Sequence, residues 1–377
     1  MMQEKNKIIG IVTWYGPANY GSGLQAFALK RFLELNEYHV VFIEDCRCFE
    51  ISEQHSKFNQ ILNKITSVTW WKKRKYRQVN ISRLQMQEEY IKEFCEVMEI
   101  KSNDDIRNIN STIDLFVSGG DQIWNPTVTK PYLMLSFIDS CRPKISYGTS
   151  VGIKVIPCQY HDKYRQYLSS YKYISVREEQ SKEALENIID NPIQVVVDPT
   201  LLLTLKEWDF LLRRAKIDKS QFLDPYIFCY FVGERHTYWN YVEKIRKKTG
   251  YKVLVLPIND EGYNNKYLKY VKTSPAEFLW LIKNASIVCT DSFHATVFSM
   301  QFGKDFYILK RFIDSDIGSQ NGRLYNLLSQ YEIRDRIVED EADFKIAKTI
   351  DYDNVWKKMA YNRGESRKWL KNVLESI

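Results

Sequence analysis

The sequence predicts two doubly wound α/β domains that face each other across a cleft. Three observations indicate this fold class: a length of 377 residues, short apolar runs that alternate with amphipathic stretches, and polar, glycine-rich segments directly after the apolar runs. A domain usually takes roughly 100–200 residues, so the length fits two domains. Apolar runs that alternate with helical patterns are typical of parallel sheets covered by helices. The change from the first domain to the second is predicted between Pro199 and Pro225.

The first domain is predicted over residues 1–200 and begins with a strand–helix–strand unit. Its strands are expected at 7–15 and 39–45, with the segment NYGSG as a loop and the helix at 24–35. A unit of this kind makes the sheet parallel, with a right-handed crossover. Residues 57–99 are predicted to form a basic, helical insertion. Later strands are expected within the segments 113–126, 144–152, 171–188 and 193–204.

The second domain is predicted over residues 201–350, and a long helix is predicted over 351–377. One helix of this domain is expected to end on Gly250, which suits a C-cap. Another is expected to begin with Ser274 as N-cap and Pro275 at its first position. The predicted strands of this domain lie within the segments 226–233, 251–258, 286–291 and 304–310.

Polar segments at the ends of the predicted strands indicate one binding site between the domains. In Rossmann-like, open α/β sheets, ligands collect at the carboxyl ends of the strands. One such segment alone would be weak evidence, but several of similar composition converge here. They are NYGSG, SGGDQ, GTSVG, SVRE, VDPT, FVGERH and TDSFH.

Composition narrows the class of protein further. No run reaches the roughly 18 apolar residues of a membrane helix, and the start shows no signal-peptide pattern. The seven cysteines form an odd, scattered set in which only Cys46 and Cys48 are spaced like a ligand pair. We therefore expect reduced thiols, a cytoplasmic protein and no metal site.

The net charge of +7 is concentrated in part in the segment WWKKRKYR, residues 70–77. On a helix, this run of cations and aromatic residues fits the inner face of an anionic membrane or a pyrophosphate-bearing acceptor. A solvated basic face with inward tryptophans explains it as well, and we expect no nucleic-acid partner.

His294 lies three residues into the helix predicted from TDSFHATVFSMQFG. Free amide groups at a helix start favour an anion, usually phosphate. A protonated histidine is disfavoured at that position unless an anion lies beside it. The position therefore fits a phosphate site, although a packed core histidine is the alternative.

Five motifs occur in an order that resembles the polysaccharide pyruvyl transferase family. They are NYGSGLQAFALKRFL, DLFVSGGDQIWNP, SVREEQS, VVVDPTLLL and DSFHATVFSMQFGKDF, and the resemblance extends from Gly10 to the terminal helix. It implies a fold like the glycosyltransferase B architecture, in agreement with the alternation described above. It also implies transfer of the enolpyruvyl group of phosphoenolpyruvate to sugar hydroxyls, which leaves a cyclic pyruvate ketal and phosphate.

The resemblance further implies the partners and their sides of the cleft. No cofactor or metal is expected, since phosphoenolpyruvate is itself the donor substrate. The acceptor is expected to be a glycan or lipid-linked oligosaccharide of capsule or exopolysaccharide assembly. The first domain is expected to face this acceptor, and the second the donor.

Two donor contacts follow from the resemblance, and one expected contact is missing. Arg177 in SVRE matches an arginine of the family at a strand end, and His294 matches a histidine at a helix start. Many members carry an arginine two residues before that histidine, where this chain has Ser292. Arg323 is the first choice to replace it. The other candidates are Arg235, Lys310 and Arg311.

Asp198 and Asp291 each have two possible roles, one in the chemistry of the site and one in local structure. Asp198 in VDPT is a candidate base for an acceptor hydroxyl, or a turn residue before Pro199. Asp291 is a candidate to orient His294 or to cap its helix. Asp121 stands where many family members have a third glycine, so acceptor contacts there are expected to differ.

Small and aromatic residues complete the predicted site. Some are expected to let ligands approach the backbone closely, namely Asn19, Gly21, Gly23, Gly119 and Gly120. For the last two, a plain tight turn is the alternative. Aromatic candidates for sugar stacking are Trp124 and Tyr147, and His236 is a reserve candidate.

Two other functions fit the same sequence. One is a sugar-nucleotide glycosyltransferase with the same two-domain fold, for which residues 259–262 would bind the ribose. The other is a non-catalytic glycan-binding protein that uses the basic aromatic segment.

Overall fold

The computed structural model describes residues 7–16, 19–47, 70–316, 318–339 and 349–377. Their strands belong to two main sheets and a short pair. The strands are β1 Ile8–Val12, β2 His39–Asp45, β3 Val97–Ile100, β4 Leu115–Gly119, β5 Lys144–Tyr147, β6 Ile174–Val176, β7 Ile193–Val195, β8 Tyr226–Tyr230, β9 Lys252–Val255, β10 Leu268–Lys269, β11 Ile287–Thr290, β12 Asp305–Leu309 and β13 Ile337–Val338.

Helices connect these strands and cover both faces of each sheet. They are α1 Tyr20–Glu34, α2 Trp70–Phe94, α3 Asn103–Thr112, α4 His161–Leu168, α5 Glu179–Glu186, α6 Pro199–Leu202, α7 Leu205–Leu212, α8 Tyr238–Thr249, α9 Asp260–Asn264, α10 Pro275–Asn284, α11 Phe293–Gln301, α12 Gly322–Gln330 and α13 Tyr352–Glu375.

Both main sheets are parallel, which confirms the predicted fold class. The first has the order β3-β2-β1-β4-β5, and the second has the order β10-β9-β8-β11-β12-β13. In each sheet the order reverses beside the first strand, which is the switch point where doubly wound folds bind ligands. The pair β6-β7 extends the first sheet through isolated bridges from the segment around β5.

Several local predictions match the structure. Strand β2 has the predicted bounds. Gly250 ends α8 in the left-handed conformation. Ser274 caps α10 with Pro275 at the first position, and Glu277 completes a capping box. These sites are specified by local chemistry, so sequence patterns were sufficient to find them.

Two local predictions were wrong. The segment NYGSG is not a loop, because Tyr20 to Gly23 form the first turn of α1, whose N-cap is Asn19. The insertion predicted at 57–99 includes α2, but its last residues form β3, which pairs with β2. Residues 57–69 lie outside the described residues.

The two domains are joined by packed contacts at the start of α1. The ring of Tyr20 stacks on Phe278 of α10, with 4.8 Å between ring centroids. Its hydroxyl donates to the backbone oxygen of Thr273 at 3.2 Å. Both partners belong to the second domain, so the first helix of the chain is fixed against it.

Helix α13 returns to the segment around α6. The backbone amide of Val197 donates to the Ser366 hydroxyl at 3.0 Å, and Arg363 donates to the carbonyl of Leu201 at 2.7 Å. Contacts with α6 and α11 place this helix against both halves of the molecule.

Two properties of the described residues bear on the functional class. Within the described ranges, no helix combines the length and apolar composition that crossing a bilayer requires. In the same ranges, no three His, Cys, Asp or Glu side chains are grouped as a metal ion would need. Cys48, half of the ligand-like pair, lies outside them.

Candidate active site

A cavity of about 720 Å³ lies where the carboxyl ends of the two sheets face each other. Residues that follow β1 and β4 form one wall, and residues that follow β11 and β12 form the other. The first wall includes Trp14, Tyr15, Asp121 and Tyr132, and the second includes Ser292, His294, Arg311 and Arg323. One wall is thus rich in aromatic side chains and the other in cations.

His294 is buried in the first turn of α11 and reaches across to the first domain. Its Nε2 lies 3.5 Å from Oδ2 of Asp198, and it makes no hydrogen bond within the described part of the chain. The ring packs against the backbone of Gly21, where an added Cβ would lie 2.2 Å from Nδ1. The helix starts α1 and α11 therefore meet at this ring.

Arg177 follows β6 and its side chain is 2% exposed. Its Nη1 donates to Oδ2 of Asp198 at 2.8 Å, and its Nε donates to Oε2 of Glu178 at 3.2 Å. Its Nη2 is buried and has no hydrogen-bond partner among the described residues. The guanidinium lies over the ring of Phe293, with 4.2 Å to the centroid.

Asp198 connects the two predicted donor contacts, because Arg177 and His294 approach the same carboxylate oxygen. The other oxygen accepts from the amide and the hydroxyl of Thr200 at 2.9 and 2.6 Å. Burial alone would raise the pKa of this carboxyl, but His294, Arg177 and Thr200 lower it well below its usual value. Asp198 is also the N-cap of α6, in line with the turn alternative, and it anchors Arg177 and His294, while its role as a base stays a prediction.

Arg177 and His294 line different cavities, although they share Asp198. Arg177 lines a second cavity of about 410 Å³, and Phe293 and Arg323 line both. The Arg323 guanidinium lies 5.9 Å from the centroid of the Phe293 ring, on which Arg177 also packs. Phe293 therefore lies between the two cavities, and the guanidinium groups of Arg177 and Arg323 both lie near its ring.

Arg323 lies in the first turn of α12, and its side chain lines the main cavity. Its Nη2 donates to Oε1 of Gln320 at 3.0 Å, and the same oxygen accepts from Gln122 of the first domain. Burial and the nearby charge of Arg177 lower the pKa of Arg323 to about 9. Its charge at neutral pH is thus retained, and an anion in the cavity would stabilise it.

Among the candidate replacements for the arginine missing at Ser292, the structure separates two pairs. Arg311 and Arg323 line the main cavity. Lys310 and Arg235 line a separate cavity of about 330 Å³, and Lys310 is paired with Asp314 and Glu339 at 3.0 and 2.6 Å. The structure thus places Lys310 outside the lining of the main cavity.

Asp291 neither caps α11 nor contacts His294. Its carboxylate accepts from the amides of Val232 and Gly233, both at 2.7 Å, and from Nε of Arg311 at 3.3 Å. The cap is Ser292, whose hydroxyl accepts from the amide of Ala295. Asp291 thus holds Arg311, which lines the cavity, against the loop that follows β8.

The glycines serve packing more than ligand approach. An added Cβ at Gly119 would meet Leu29 at 2.5 Å, and at Gly120 it would meet Gln25 at 1.7 Å, so both allow α1 to pack on the sheet. At Gly23 the nearest atom would lie 3.8 Å away, an ordinary contact. Asn19 lines the cavity, and its side chain accepts from the amide of Gly21 at 2.9 Å.

The aromatic candidates named from the sequence are core residues. Trp124 and Tyr147 are fully buried, with hydrogen bonds to Ser118 and to the carbonyl of Val197. His236 is exposed beside Glu261, outside the cavity lining. The aromatic residues of the first wall were missed, namely Trp14, Tyr15 and Tyr132. For Trp14 and Tyr15, the available signal was their position directly after the first predicted strand.

Changing Gly21 to alanine is expected to displace the ring of His294, because the new methyl group would overlap it. We expect at least a tenfold loss of the activity that depends on His294, since small misplacements of reacting groups are costly. Gly23→Ala is the matched control in the same helical turn, with no close contact. It should keep activity and be neutral or more stable by roughly 0.5–1 kcal/mol, because alanine favours helices. Equal activity in the two variants would contradict the prediction; steady-state kinetics and thermal unfolding measure both effects.

Two parallel, helix-covered sheets with a cavity between them define a two-domain protein of the glycosyltransferase B type. A model of the polysaccharide pyruvyl transferase family matches residues 19–311, more than half of the chain. The chain therefore belongs to the polysaccharide pyruvyl transferase family, as the ordered motifs predicted. This membership makes it a transferase with a glycan acceptor. No curated protein matches the sequence.

Solved structures show the same fold at low identity. A UDP-N-acetylglucosamine 2-epimerase is 11% identical, with a TM-score of 0.51 over 97% of this chain and 94% of that one. A putative UDP-N-acetylglucosamine 2-epimerase from Listeria monocytogenes is 11% identical, with a TM-score of 0.49 over 95% of this chain and 96% of that one. The UDP-GlcNAc 2-epimerase from Neisseria meningitidis is 12% identical, with a TM-score of 0.49 over 98% and 100%. At such identities the similarity concerns the fold alone.

Proposed function

We propose that this protein transfers the enolpyruvyl group of phosphoenolpyruvate to sugar hydroxyls of a glycan, leaving a cyclic pyruvate ketal and inorganic phosphate. One observation carries the proposal: Nη2 of Arg177 and Nε2 of His294 are buried and lack hydrogen-bond partners among the described residues. Both side chains approach the same oxygen of Asp198, and the cavities that they line share Phe293 and Arg323. Buried groups without partners are costly, and an anion placed beside them would supply the acceptors.

The charges around this pair suit a small, highly charged donor. Phosphoenolpyruvate carries a carboxylate and a phosphate on a small frame, and guanidinium groups bind both in a forked geometry. Arg323 and Arg311 contribute two further cations from the second domain. The start of α11 adds the partial positive charge of a helix N-terminus. In this proposal, Arg323 takes the place of the arginine that is missing at Ser292.

His294 is assigned the role of acid in the first step. It donates a proton to C3 of phosphoenolpyruvate, so positive charge develops at C2 and an acceptor hydroxyl oxygen bonds there. The bond between C2 and the phosphate oxygen then breaks, and a second hydroxyl closes the ketal. Two hydroxyl protons are released: one balances the proton given to C3, and the other leaves with the phosphate. General acid catalysis of this kind contributes roughly 10²–10⁴-fold.

The acceptor is assigned to the aromatic wall formed by Trp14, Tyr15 and Tyr132. Flat aromatic faces beside a few polar groups are typical of small-molecule sites. Leu84 of α2 also lines the cavity, and the basic run lies at the start of that helix. A lipid-linked acceptor at an anionic membrane surface is consistent with this connection.

Titration of the purified protein with phosphoenolpyruvate and with nucleotide sugars tests the donor. We expect binding of phosphoenolpyruvate and phosphate release with galactose-, mannose- or glucosamine-containing acceptors, supplied free and lipid-linked. Arg323→Gln should weaken donor binding roughly 10–100-fold, the range of a charged hydrogen bond. Arg235→Gln removes a cation from the separate cavity and should leave the affinity unchanged. Binding of a nucleotide sugar in place of phosphoenolpyruvate would refute the proposal.

A further inference from the structure

We propose that Asp121 is the catalytic base that takes the proton from the attacking acceptor hydroxyl. This inference rests on the proposed function and identifies a group in the main cavity for that step, since Asp198 lines the second cavity beside Arg177. Asp121 follows β4 and lies in the cavity wall of the first domain, on the side assigned to the acceptor.

The backbone of Asp121 is held in an unfavourable conformation. Its φ is +52°, in the left-handed region that side chains other than glycine rarely adopt, and the preceding Gly120 has φ +63°. Two backbone hydrogen bonds fix this turn: Gly120 donates to the carbonyl of Tyr147, and Ser150 donates to the carbonyl of Asp121, both at 2.8 Å. Glycine would fit this conformation without strain. Strained residues of this kind cluster at functional sites, where the surrounding structure imposes them.

The carboxylate of Asp121 is oriented and ionised. Its Oδ2 accepts from the hydroxyl of Ser22 at 2.7 Å, and its Oδ1 accepts from the amide of Gln122 at 2.9 Å. Each carboxylate oxygen can accept a further hydrogen bond. Burial alone would raise its pKa, but the charges of His294 and Arg177, with the bond from Ser22, lower the pKa below its usual value. Asp121 is thus a carboxylate at neutral pH.

Asp121 lines the same cavity as His294 and Arg323, two of the residues proposed to bind the donor. The charges of His294, Arg177 and Arg323 all act on its carboxylate. Glu44 is another carboxylate in the cavity lining, and it accepts from the hydroxyl of Tyr15 at 3.0 Å. The base must lie beside C2 of the donor, and Asp121 lines the same cavity as His294 and Arg323, whereas Glu44 is bonded to Tyr15 of the aromatic wall.

The proposed step is balanced without any further reactant. As the hydroxyl oxygen bonds to C2, its O–H bond breaks and the proton moves to the carboxylate of Asp121. That proton then leaves with the phosphate when the bond between C2 and the phosphate oxygen breaks. Asp121 is thereby returned to its ionised form for the next turnover.

Kinetics of Asp121→Asn and Asp121→Gly test this role, with Asp162→Asn as the matched control outside the cavity lining and Glu44→Gln as the variant of the rival carboxylate. Asparagine keeps the shape and one acceptor oxygen but takes up no proton, so turnover should fall roughly 10²-fold or more. Affinity for phosphoenolpyruvate should not fall by calorimetric titration, because removing a negative charge beside the donor cations does not weaken the binding of an anion. Asp121→Gly should lose turnover equally while melting no lower than Asp121→Asn, since it relieves the strain. Asp162→Asn should stay within about threefold of wild type, because that carboxylate is exposed and lies outside the cavity lining.

The outcomes separate this inference from the proposed function. Turnover of Asp121→Asn within about threefold of wild type overturns the inference and leaves the proposed function intact. Loss of donor affinity in step with turnover also overturns it, because Asp121 would then act on the donor. A larger loss in Glu44→Gln than in Asp121→Asn assigns the base to Glu44. A wild-type protein that binds phosphoenolpyruvate but releases no phosphate with any acceptor overturns both.

Discussion

Replacement of His294 with alanine is expected to lower the rate of phosphate release from phosphoenolpyruvate by roughly 10²–10⁴-fold. The variant lacks the proposed acid, and with it Nε2 of His294, one of the two buried nitrogens that have no hydrogen-bond partner among the described residues. It also leaves Asp198 bonded to Arg177 and Thr200, so that carboxylate stays paired and the fold should persist. Stopped-flow or coupled phosphate assays at saturating donor measure the change in rate.

His236→Ala is the matched control for this substitution. That side chain is 87% exposed beside Glu261 and lies outside the cavity lining, so its loss should leave turnover unchanged. If His294→Ala retained the wild-type rate, His294 would have no part in proton transfer. A rate that falls together with the melting temperature would assign it a structural role instead.

Replacement of Arg177 with alanine is expected to destabilise the protein by roughly 3–5 kcal/mol, the cost of breaking a buried ion pair by removal of one partner. Asp198 and Glu178 would both lose the guanidinium, and each is buried. Denaturant unfolding followed by circular dichroism gives the free energy. Arg107→Ala is the control, because Arg107 pairs with Asp104 at an exposed site. Its loss should cost about 0–1 kcal/mol.

The effect of Arg177→Ala should depend on pH in one direction. The pKa of Asp198 is lowered in the folded protein. A lowered pKa stabilises the fold at pH values above the unfolded-state pKa of about 3.9, and this stabilisation is lost as the pH falls through the folded-state value. The difference between wild type and variant should thus be complete at pH 7 and shrink below about pH 4. A difference that grew on acidification would contradict the assignment of the pair.

Local patterns predicted much of the fold because each strand and cap is specified by its own residues. The strand–helix–strand start, the cap at Ser274 and the left-handed Gly250 were all found this way. The start of α1 was missed because two glycines disfavour a helix. The reason for Gly21 lies in the ring of His294, which comes from the other domain. Such a contact is invisible in the surrounding sequence.

The sequence indicated charged residues of the candidate site, but it did not indicate which of them contact one another. Arg177 and His294 were both named, but their shared partner was assigned another role, since Asp198 in a VDPT turn gives no sign of what packs above it. The aromatic wall was missed because the chain has 25 tyrosines and 9 tryptophans, and composition does not show which of them line a cavity. Only the fold decides that Trp124 is a core residue and that Trp14 faces the cavity.

The bonds that join α13 to the segment around Asp198 set an order of events during synthesis. The amide of Val197 is held by Ser366, and the carbonyl of Leu201 by Arg363, so both flanks of Asp198 depend on a helix translated much later. A nascent chain therefore carries Arg177, Asp198 and His294 well before these two bonds can form. The arrangement on both sides of Asp198 is complete only when that last helix has emerged and docked.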